Sequence, residues 1–174
     1  MPERKTIARA QADKRAGKAA STQAGEFVKE EMDHVRSGKH GVRSAKQAVA
    51  IGLSKARRAG VALKAPKKGE TSESTRRKAE KDTAAGQGKA KHSASTETKA
   101  KRSRTSTSVL QKESKRGASH AAVSKQAKSA AAKRPAASRS AAAKKAAQTK
   151  GPAVRSAAAK KAARTRAARA HAHH

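Results

Sequence analysis

The stretch from residue 22 to residue 64 carries most of the large apolar side chains, and their spacing is helical. In the segment GEFVKEEMDHVRSG these residues recur at i, i+4 and i+7, with one aromatic residue alongside: Val28, Met32 and Val35, and Phe27. Such spacing places them on one face of an amphipathic helix. Gly38 follows at the position where helices commonly end, so the pattern predicts a helix that stops just before this glycine.

Three acidic residues, Glu26, Glu30 and Glu31, belong to the same segment. We expect them in the first turns of the helix, because the helix dipole favours anions there, and we expect Glu30, Glu31 and Asp33 to form a solvated face. His34 and His40 flank the turn that follows, and we expect them to be surface or capping residues. We expect none of these side chains to be catalytic.

A second helix is marked at both ends. Ser44 and Gln47 fit a capping box, and the segment runs to Gly60. Its stripe of small and apolar residues comprises Ala45, Val49, Gly52, Leu53 and Ala56. Because Gly52 has no side chain, we expect the backbone of a partner helix to approach it closely.

The two segments together predict a small helical hairpin, at about residues 24–60, that turns at residues 38–41. Ile51 lies off the stripe and contacts either a third element, such as Val61 and Leu63, or a second subunit, so homo-oligomerisation through the hairpin stays open. Local amino-acid composition divides the whole chain into a basic N-terminal arm at 1–21, a helical hairpin domain at 22–64, a flexible linker at 65–113 and an Ala/Lys/Arg-rich low-complexity tail at 114–174.

Composition changes this picture by limiting how much of the chain can fold. Lys and Arg number 44 against 12 Asp and Glu, which gives a net charge of +32 over 174 residues, whereas Leu, Ile, Val and Phe together number fourteen. Chains this charged and this poor in large apolar residues usually fail to offset the entropy of ordering themselves. We therefore expect a mostly disordered, all-α protein in which the small hairpin is folded and the basic tail is disordered and transiently helical.

The tail repeats itself in alanine and positive charge, since RSAAAKKAAQTK at 139–150 returns as RSAAAKKAARTR at 155–166. From residue 114 onward there are sixteen Lys and Arg and no acid, so the natural counterpart of the tail is a polyanion. Ser140 and Ser156 can each N-cap a helix, and Pro135 and Pro152 should each end or begin one. The cations expected to bind nucleic acid are Lys144, Lys145, Lys150, Arg155, Lys160, Lys161, Arg164, Arg166 and Arg169.

Several classes of protein are excluded by what the sequence lacks. Cysteine is absent, which excludes disulfides, thiolate zinc sites and a cysteine nucleophile. No nucleophile with its base, phosphate-binding glycine loop or metal cluster has recognisable spacing, so we expect no enzyme, no cofactor and no metal, and we interpret the HAHH at 171–174 as a solvated end. Because we find neither a signal peptide nor eighteen consecutive apolar residues, we expect a cytoplasmic protein that does not bind membranes.

Three segments, GEFV at 25–28, KHG at 39–41 and SAKQAVAIGLSKARRAG at 44–60, occur here in order. With them, roughly residues 1–69 resemble a bacterial family of short basic proteins known only as domain of unknown function 6496. The resemblance implies a bacterial source and implies no activity. The tail is similar in composition to the lysine- and alanine-rich extensions of bacterial histone H1-like proteins, a resemblance that implies DNA condensation.

These features together predict a sequence-nonspecific, nucleoid-associated DNA-binding accessory protein whose tail contacts phosphates. We expect phosphates to neutralise like charges along the tail, so that it gains helix when it binds. Two alternatives stay open. One is a protein-interaction or adaptor hairpin with a solubilising or localising tail, and the other is an RNA- or ribosome-associated protein.

Overall fold

The computed structural model describes residues 2–88 and 98–171, apart from the side chains of residues 99, 150 and 169–171. All regular elements in these ranges are helices, which confirms the all-α class. They are α1 (Arg4–Arg15), α2 (Ala20–Arg36), α3 (Ala45–Arg58), α4 (Glu73–Gly86), α5 (Lys99–Gln111), a 3₁₀ helix (Lys115–Ala118), α6 (His120–Ala132) and α7 (Ala136–His171). The chain divides into two compact units, Met1–Gln126 and Ala127–His174. We call these the folded unit and the tail unit.

The helices α2 and α3 pack against each other, but α1 and α4 pack against them as well, so the prediction of a small hairpin as the only folded part is not confirmed. Gly38 has φ 82° and ends α2, with its N–H donating to Val35 O at 3.1 Å. Ser44 caps α3, because its Oγ accepts from Gln47 N at 3.2 Å. At the α2–α3 crossing, a Cβ added to Gly52 would lie 2.7 Å from the Cα of Val28, so only glycine allows this approach.

The start of α2 differs from the prediction. The helix begins at Ala20, so Glu30 and Glu31 lie beyond its middle rather than in its first turns. Both side chains are buried, and the expectation of a solvated face is wrong for them. The reason lies in long-range contacts, since Glu30 Oε2 accepts from Glu3 N at 3.1 Å and Glu31 Oε2 accepts from Lys55 Nζ at 2.7 Å.

Two apolar clusters form the core of the folded unit. The first joins α1, α2 and α3 and the segment after α3, through Ala10, Ala24, Phe27, Ala56 and Val61. The second comprises Met32, Val35, Val42, Ala48 and Ala118, and Ile51 packs against it. This cluster includes Ala118 of the 3₁₀ helix, whereas Val61 and Leu63, the predicted neighbours of Ile51, belong to the first cluster.

The expectation that most of the chain is disordered is wrong. The arm at 1–21 contains α1, which docks on α2, and the linker at 65–113 contains α4 and α5. Asp82 of α4 is buried and accepts hydrogen bonds from Ser54 and Arg58 of α3, both at 2.6 Å. Alanine and glycine explain the difference, because small side chains let helix backbones pack closely without many large apolar residues.

In the tail unit, α7 replaces the expected disordered tail. Alanine has the best helix propensity of all residues, and α7 is rich in it. The helix is interrupted at Gly151, whose φ of 65° and ψ of 165° are not helical, so that Pro152 begins a second segment. Pro135 directly precedes the first residue of α7. The prediction that both prolines stand at helix ends is confirmed.

Candidate nucleic-acid interface

The predicted nucleic-acid contacts lie on α7 of the tail unit. Seven of the nine predicted cations have described side chains, and all seven are exposed: Lys144, Lys145, Arg155, Lys160, Lys161, Arg164 and Arg166. The side chains of Lys150 and Arg169 lie outside the described residues. None of the seven makes a salt bridge, and the tail unit has no acidic residue to offer one. These charges therefore face solvent without an internal counterion.

Within the second segment of α7 the cations occupy two sides of the helix. At 3.6 residues per turn, Lys160, Lys161 and Arg164 point to one side, whereas Arg155 and Arg166 point to the other. Lys160 and Arg164 stand at i and i+4, a spacing at which like charges oppose helix formation. An anion that lies along this helix would therefore relieve repulsion at the same time as it binds.

The serines of the two repeats do not cap helices. Ser140 and Ser156 both lie inside α7, and Ser156 Oγ donates to Ala153 O at 3.0 Å. Arg155 Nε donates to Gly151 O at 3.2 Å, which satisfies a carbonyl at the interruption of the helix. The organisation of the tail unit therefore depends on alanine and on the break at residues 151–152, rather than on serine caps.

Ion pairs in the folded unit neutralise most of its acids. Two close pairs link separate helices, Arg9 with Glu26 and Arg58 with Asp82, both at 2.6 Å, and Lys18 pairs with Asp13 at 2.5 Å just after α1. On α4, Arg76 pairs with both Glu73 and Glu80. The hydrogen bond from Arg76 lowers the pKa of Glu73 below its ordinary value.

A second group of charges lies where α1, α2 and α3 meet, and sequence reasoning missed it. Lys55 Nζ of α3 lies 2.7 Å from Glu31 Oε2 and 3.5 Å from Glu30 Oε1, and both carboxylates are almost fully buried. Glu3, which precedes α1, lies beside the end of α2. A hydrogen bond from His34 and the ammonium of Lys39 lower the pKa of the Glu3 carboxyl to about 2.

His34 and His40 also differ from the expectation, because their side chains are largely buried rather than at the surface. The side chains of His34 and His40 are each only 15% exposed, and their rings meet edge to face with centroids 6.3 Å apart. His40 Nε2 lies 3.3 Å from Glu31 Oε1. The E-x-x-H spacing of Glu31 and His34 is the one sequence signal for this cluster, because residues at i and i+3 share a helix face. The terminal HAHH lies outside the described side chains.

The comparisons with known proteins concern the folded unit. No curated protein and no solved structure matches the chain. No helix in the described ranges combines the length and the apolar character that crossing a membrane requires. The model of one family matches residues 11–69, which cover α2, α3 and the C-terminal part of α1 from residue 11 to residue 15. That model describes the family of unknown function DUF6496, so residues 11–69 of the chain are similar to this family, as the resemblance in the sequence predicted.

Proposed function

We propose that this chain is a nucleoid-associated accessory protein that binds DNA without sequence preference through the cations of α7. The observation that carries the proposal is an acid-free helical unit whose seven described candidate cations are all exposed and without a salt bridge. Phosphates of the DNA backbone supply the missing counterions. Binding releases cations condensed on the DNA, which makes the affinity depend steeply on salt.

The chemistry of α7 supports contact with phosphates rather than with bases. Sequence reading needs side chains held rigidly against base edges, and the exposed cations of α7 make no supporting contacts with other elements. Stacking on unpaired bases needs exposed aromatic rings, whereas Phe27, the single aromatic residue of the chain, is 1% exposed. If about half of the sixteen cations after residue 114 engage DNA, the logarithmic salt slope is roughly −7.

Duplex DNA fits the helix better than duplex RNA does. The segment of α7 after Gly151 is about 30 Å long at 1.5 Å per residue, and alanine keeps it narrow. The major groove of B-form DNA is about 12 Å wide and admits an α-helix. The major groove of A-form RNA is deep and too narrow for side chains to read, so structured RNA offers this helix less contact.

A matched pair of full-length variants tests the proposal. The tail variant replaces seven cations of α7 by glutamine: Lys144, Lys145, Arg155, Lys160, Lys161, Arg164 and Arg166. The control variant replaces the same numbers of Lys and Arg in the folded unit, at exposed positions without salt bridges: Arg4, Lys5, Arg15, Lys46, Lys78, Lys81 and Arg102. Both variants lower the net charge of +32 by seven.

The readout is the affinity for duplex DNA, structured RNA and heparin across a salt series. We expect the slope for duplex DNA to fall in magnitude by about 3 or more in the tail variant and to change by less than about 1 in the control. An equal loss of affinity and salt slope in both variants would show that binding depends only on net charge, which would contradict the proposal. Tighter binding of structured RNA than of duplex DNA would redirect it to RNA or the ribosome.

A second candidate function, a protein-interaction adaptor, rests on a different observation. The family model matches helices of the folded unit and stops at residue 69, well before the tail. A protein partner would bind these helices, while the tail localises the protein. The tail variant used as bait separates the two functions, because one stoichiometric protein partner would favour the adaptor and no partner would favour DNA binding.

A further inference from the structure

We propose that Glu31, His34 and His40 form a binding site for one divalent transition-metal ion, of which Zn²⁺ is the expected occupant. The proposal is independent of DNA binding by the tail. One potential ligand atom from each of the three residues lies within 4.8 Å of the others. Zinc lies about 2.0–2.2 Å from nitrogen and carboxylate ligands, so its ligand atoms lie at most about 4.4 Å apart, and small rotations of the three side chains would bring these atoms to that spacing.

The chain brings these residues together through α2 and the turn that follows it. Glu31 and His34 share a face of α2 one turn apart. Gly38, with its positive φ, reverses the chain, so that His40 returns to the same place. The site also lies at the C-terminal end of α2, where the helix dipole favours a cation.

The strongest sign of a cation-binding site is an oxygen of Glu31. The Glu31 side chain is fully buried, and its Oε2 accepts from Lys55, but its Oε1 has no hydrogen-bond partner. His40 Nε2 lies 3.3 Å from Oε1 but does not form a hydrogen bond with it. Buried polar atoms in folded proteins normally have a partner, so this oxygen points to a ligand that shares it.

The hydrogen bonds of the two histidines prepare their rings for metal binding. His40 Nδ1 lies 3.1 Å from Gly41 O, and because a carbonyl only accepts, the Nδ1 atom carries a proton. In the neutral ring the lone pair is then on Nε2, which faces Glu31 Oε1. His34 is held by Glu3, whose Oε1 lies 2.9 Å from its Nε2. Histidine ligands of metals are usually oriented by carbonyl or carboxylate groups in this way.

The local charge also favours a cation, although the protein as a whole is strongly basic. With neutral histidines, the carboxylates of Glu3, Glu30 and Glu31 face the ammonium groups of Lys39 and Lys55, which leaves one negative charge in excess. Glu30 Oε1 is also buried without a hydrogen-bond partner. A bound divalent ion would offset this excess.

The ligand set selects a borderline transition metal. Two imidazoles and one carboxylate are a common set for zinc, which leaves a fourth position for water. Calcium takes six to eight oxygen ligands and magnesium keeps an octahedral shell of oxygens, so neither suits a site with two nitrogens. A metal bound here would fix the turn at 37–44 against α2. The same turn contacts the region before the 3₁₀ helix, through Gly41 N to Leu110 O and Val42 N to Ser114 O, both at 2.9 Å.

Zinc titration of the chelator-treated full chain tests the proposal. The reference protein carries His171→Asn, His173→Asn and His174→Asn, which removes the competing terminal histidines, and we call it the tail-histidine variant. We expect it to bind one Zn²⁺ per chain and to unfold at a higher temperature with zinc, since binding to the native state stabilises it. Adding His40→Asn should weaken this binding by about 100-fold or more and abolish the thermal shift, and Glu3→Gln should weaken it by about 10-fold.

Two further measurements keep the result clear. Adding His120→Asn to the tail-histidine variant is the matched control, and it should leave the affinity unchanged. Histidine ring NMR of the tail-histidine variant uses a protein in which Glu31, His34 and His40 are intact. A folding defect caused by their substitution therefore cannot explain the result. The signals of His34 and His40 should shift together at one equivalent of zinc while that of His120 stays. Absence of zinc binding, or zinc binding that moves neither His34 nor His40, would overturn the proposal.

Discussion

The folded unit and the tail unit contain the same residue types, but these residues are packed in the folded unit and exposed in the tail unit. Both are helical and rich in alanine, lysine and arginine, but alanines such as Ala24 and Ala48 are buried in the folded unit, whereas those of α7 are mostly exposed. The folded unit holds the acids that the structure describes, and many of them join distant elements, whereas the tail unit has none. Acidic residues, glycines and a few large apolar side chains thus separate a packed domain from a polycation.

The largest expected effect comes from removing the one aromatic side chain of the core. Phe27→Ala should lower the free energy of unfolding by about 3–5 kcal/mol, because Phe27 is buried between α1 and α3 and its loss leaves a cavity. Val154→Ala in the tail unit is the control, since Val154 is 57% exposed, and it should change stability by no more than about 0.5 kcal/mol. Urea unfolding followed by circular dichroism measures both. Similar losses of unfolding free energy for the two substitutions would contradict the distinction between a packed folded unit and an exposed tail unit.

The next effect comes from the buried carboxylates. Lys55→Met should cost about 3 kcal/mol of unfolding free energy, because Glu30 and Glu31 would remain buried without their cation. Lys46→Met on the same helix is exposed and has no salt bridge, so we expect it to be nearly neutral. A small effect at Lys55 would mean that the two carboxylates are solvated, contrary to the buried charge group described above.

Two glycines should respond to alanine with opposite signs. Gly52→Ala should destabilise the protein by about 1–3 kcal/mol, because its Cβ would press on the backbone of Val28. Gly25→Ala, on α2 with nothing within 4 Å of the added Cβ, should stabilise it by about 0.5–1 kcal/mol through helix propensity. Chemical denaturation of both variants checks the crossing of α2 and α3. Stabilisation by both substitutions would show that the helices do not meet at Gly52.

Helix capping gives a smaller contrast between the units. Ser44→Ala should cost about 1 kcal/mol, because Ser44 Oγ accepts from Gln47 N at the start of α3. Ser156→Ala lies inside α7, where the serine hydroxyl only donates to Ala153 O, and it should not lower stability. Thermal unfolding is sufficient to compare them. A larger loss of stability for Ser156→Ala than for Ser44→Ala would indicate that the serines of the tail repeats cap helices, as the sequence predicted.

The smallest effect depends on pH. The hydrogen bond from Arg76 lowers the pKa of Glu73, so the pair stabilises the folded state above the ordinary pKa of 4.5 and loses this contribution as the pH falls through the folded-state pKa. Glu73→Gln should therefore lower the melting temperature slightly at pH 7 and progressively less towards pH 3. The pair is exposed, so the difference is small. A difference that grows in acid would contradict the sign of the pKa shift.

Local signals in the sequence predicted several elements correctly. The glycine that ends α2, the cap of α3 and the close contact at Gly52 each depend on a few neighbouring residues, so their patterns can be read from the sequence. The two prolines at helix ends belong to the same class. The family resemblance depended on short contiguous sequence motifs and is confirmed for residues 11–69.

Contacts between distant residues were not predictable in this way. Glu31 looked like a surface acid because its partner Lys55 lies 24 positions away. The docking of α4 depends on Asp82, whose partners Ser54 and Arg58 are 28 and 24 positions distant. Counting large apolar residues also underestimated the core, because buried alanines and glycines add close packing that such a count ignores.

The most direct test of the central claim is lysine acetylation of the unmodified full chain, free and bound to duplex DNA, with each lysine followed by mass spectrometry. We expect DNA to slow acetylation of Lys144, Lys145, Lys160 and Lys161 and to leave Lys5, Lys46, Lys78 and Lys81, which are also exposed, unchanged. Protection confined to the tail unit would support a packed domain that carries a DNA-binding polycation. Protection of the folded-unit lysines, with the α7 lysines still reactive, would contradict it.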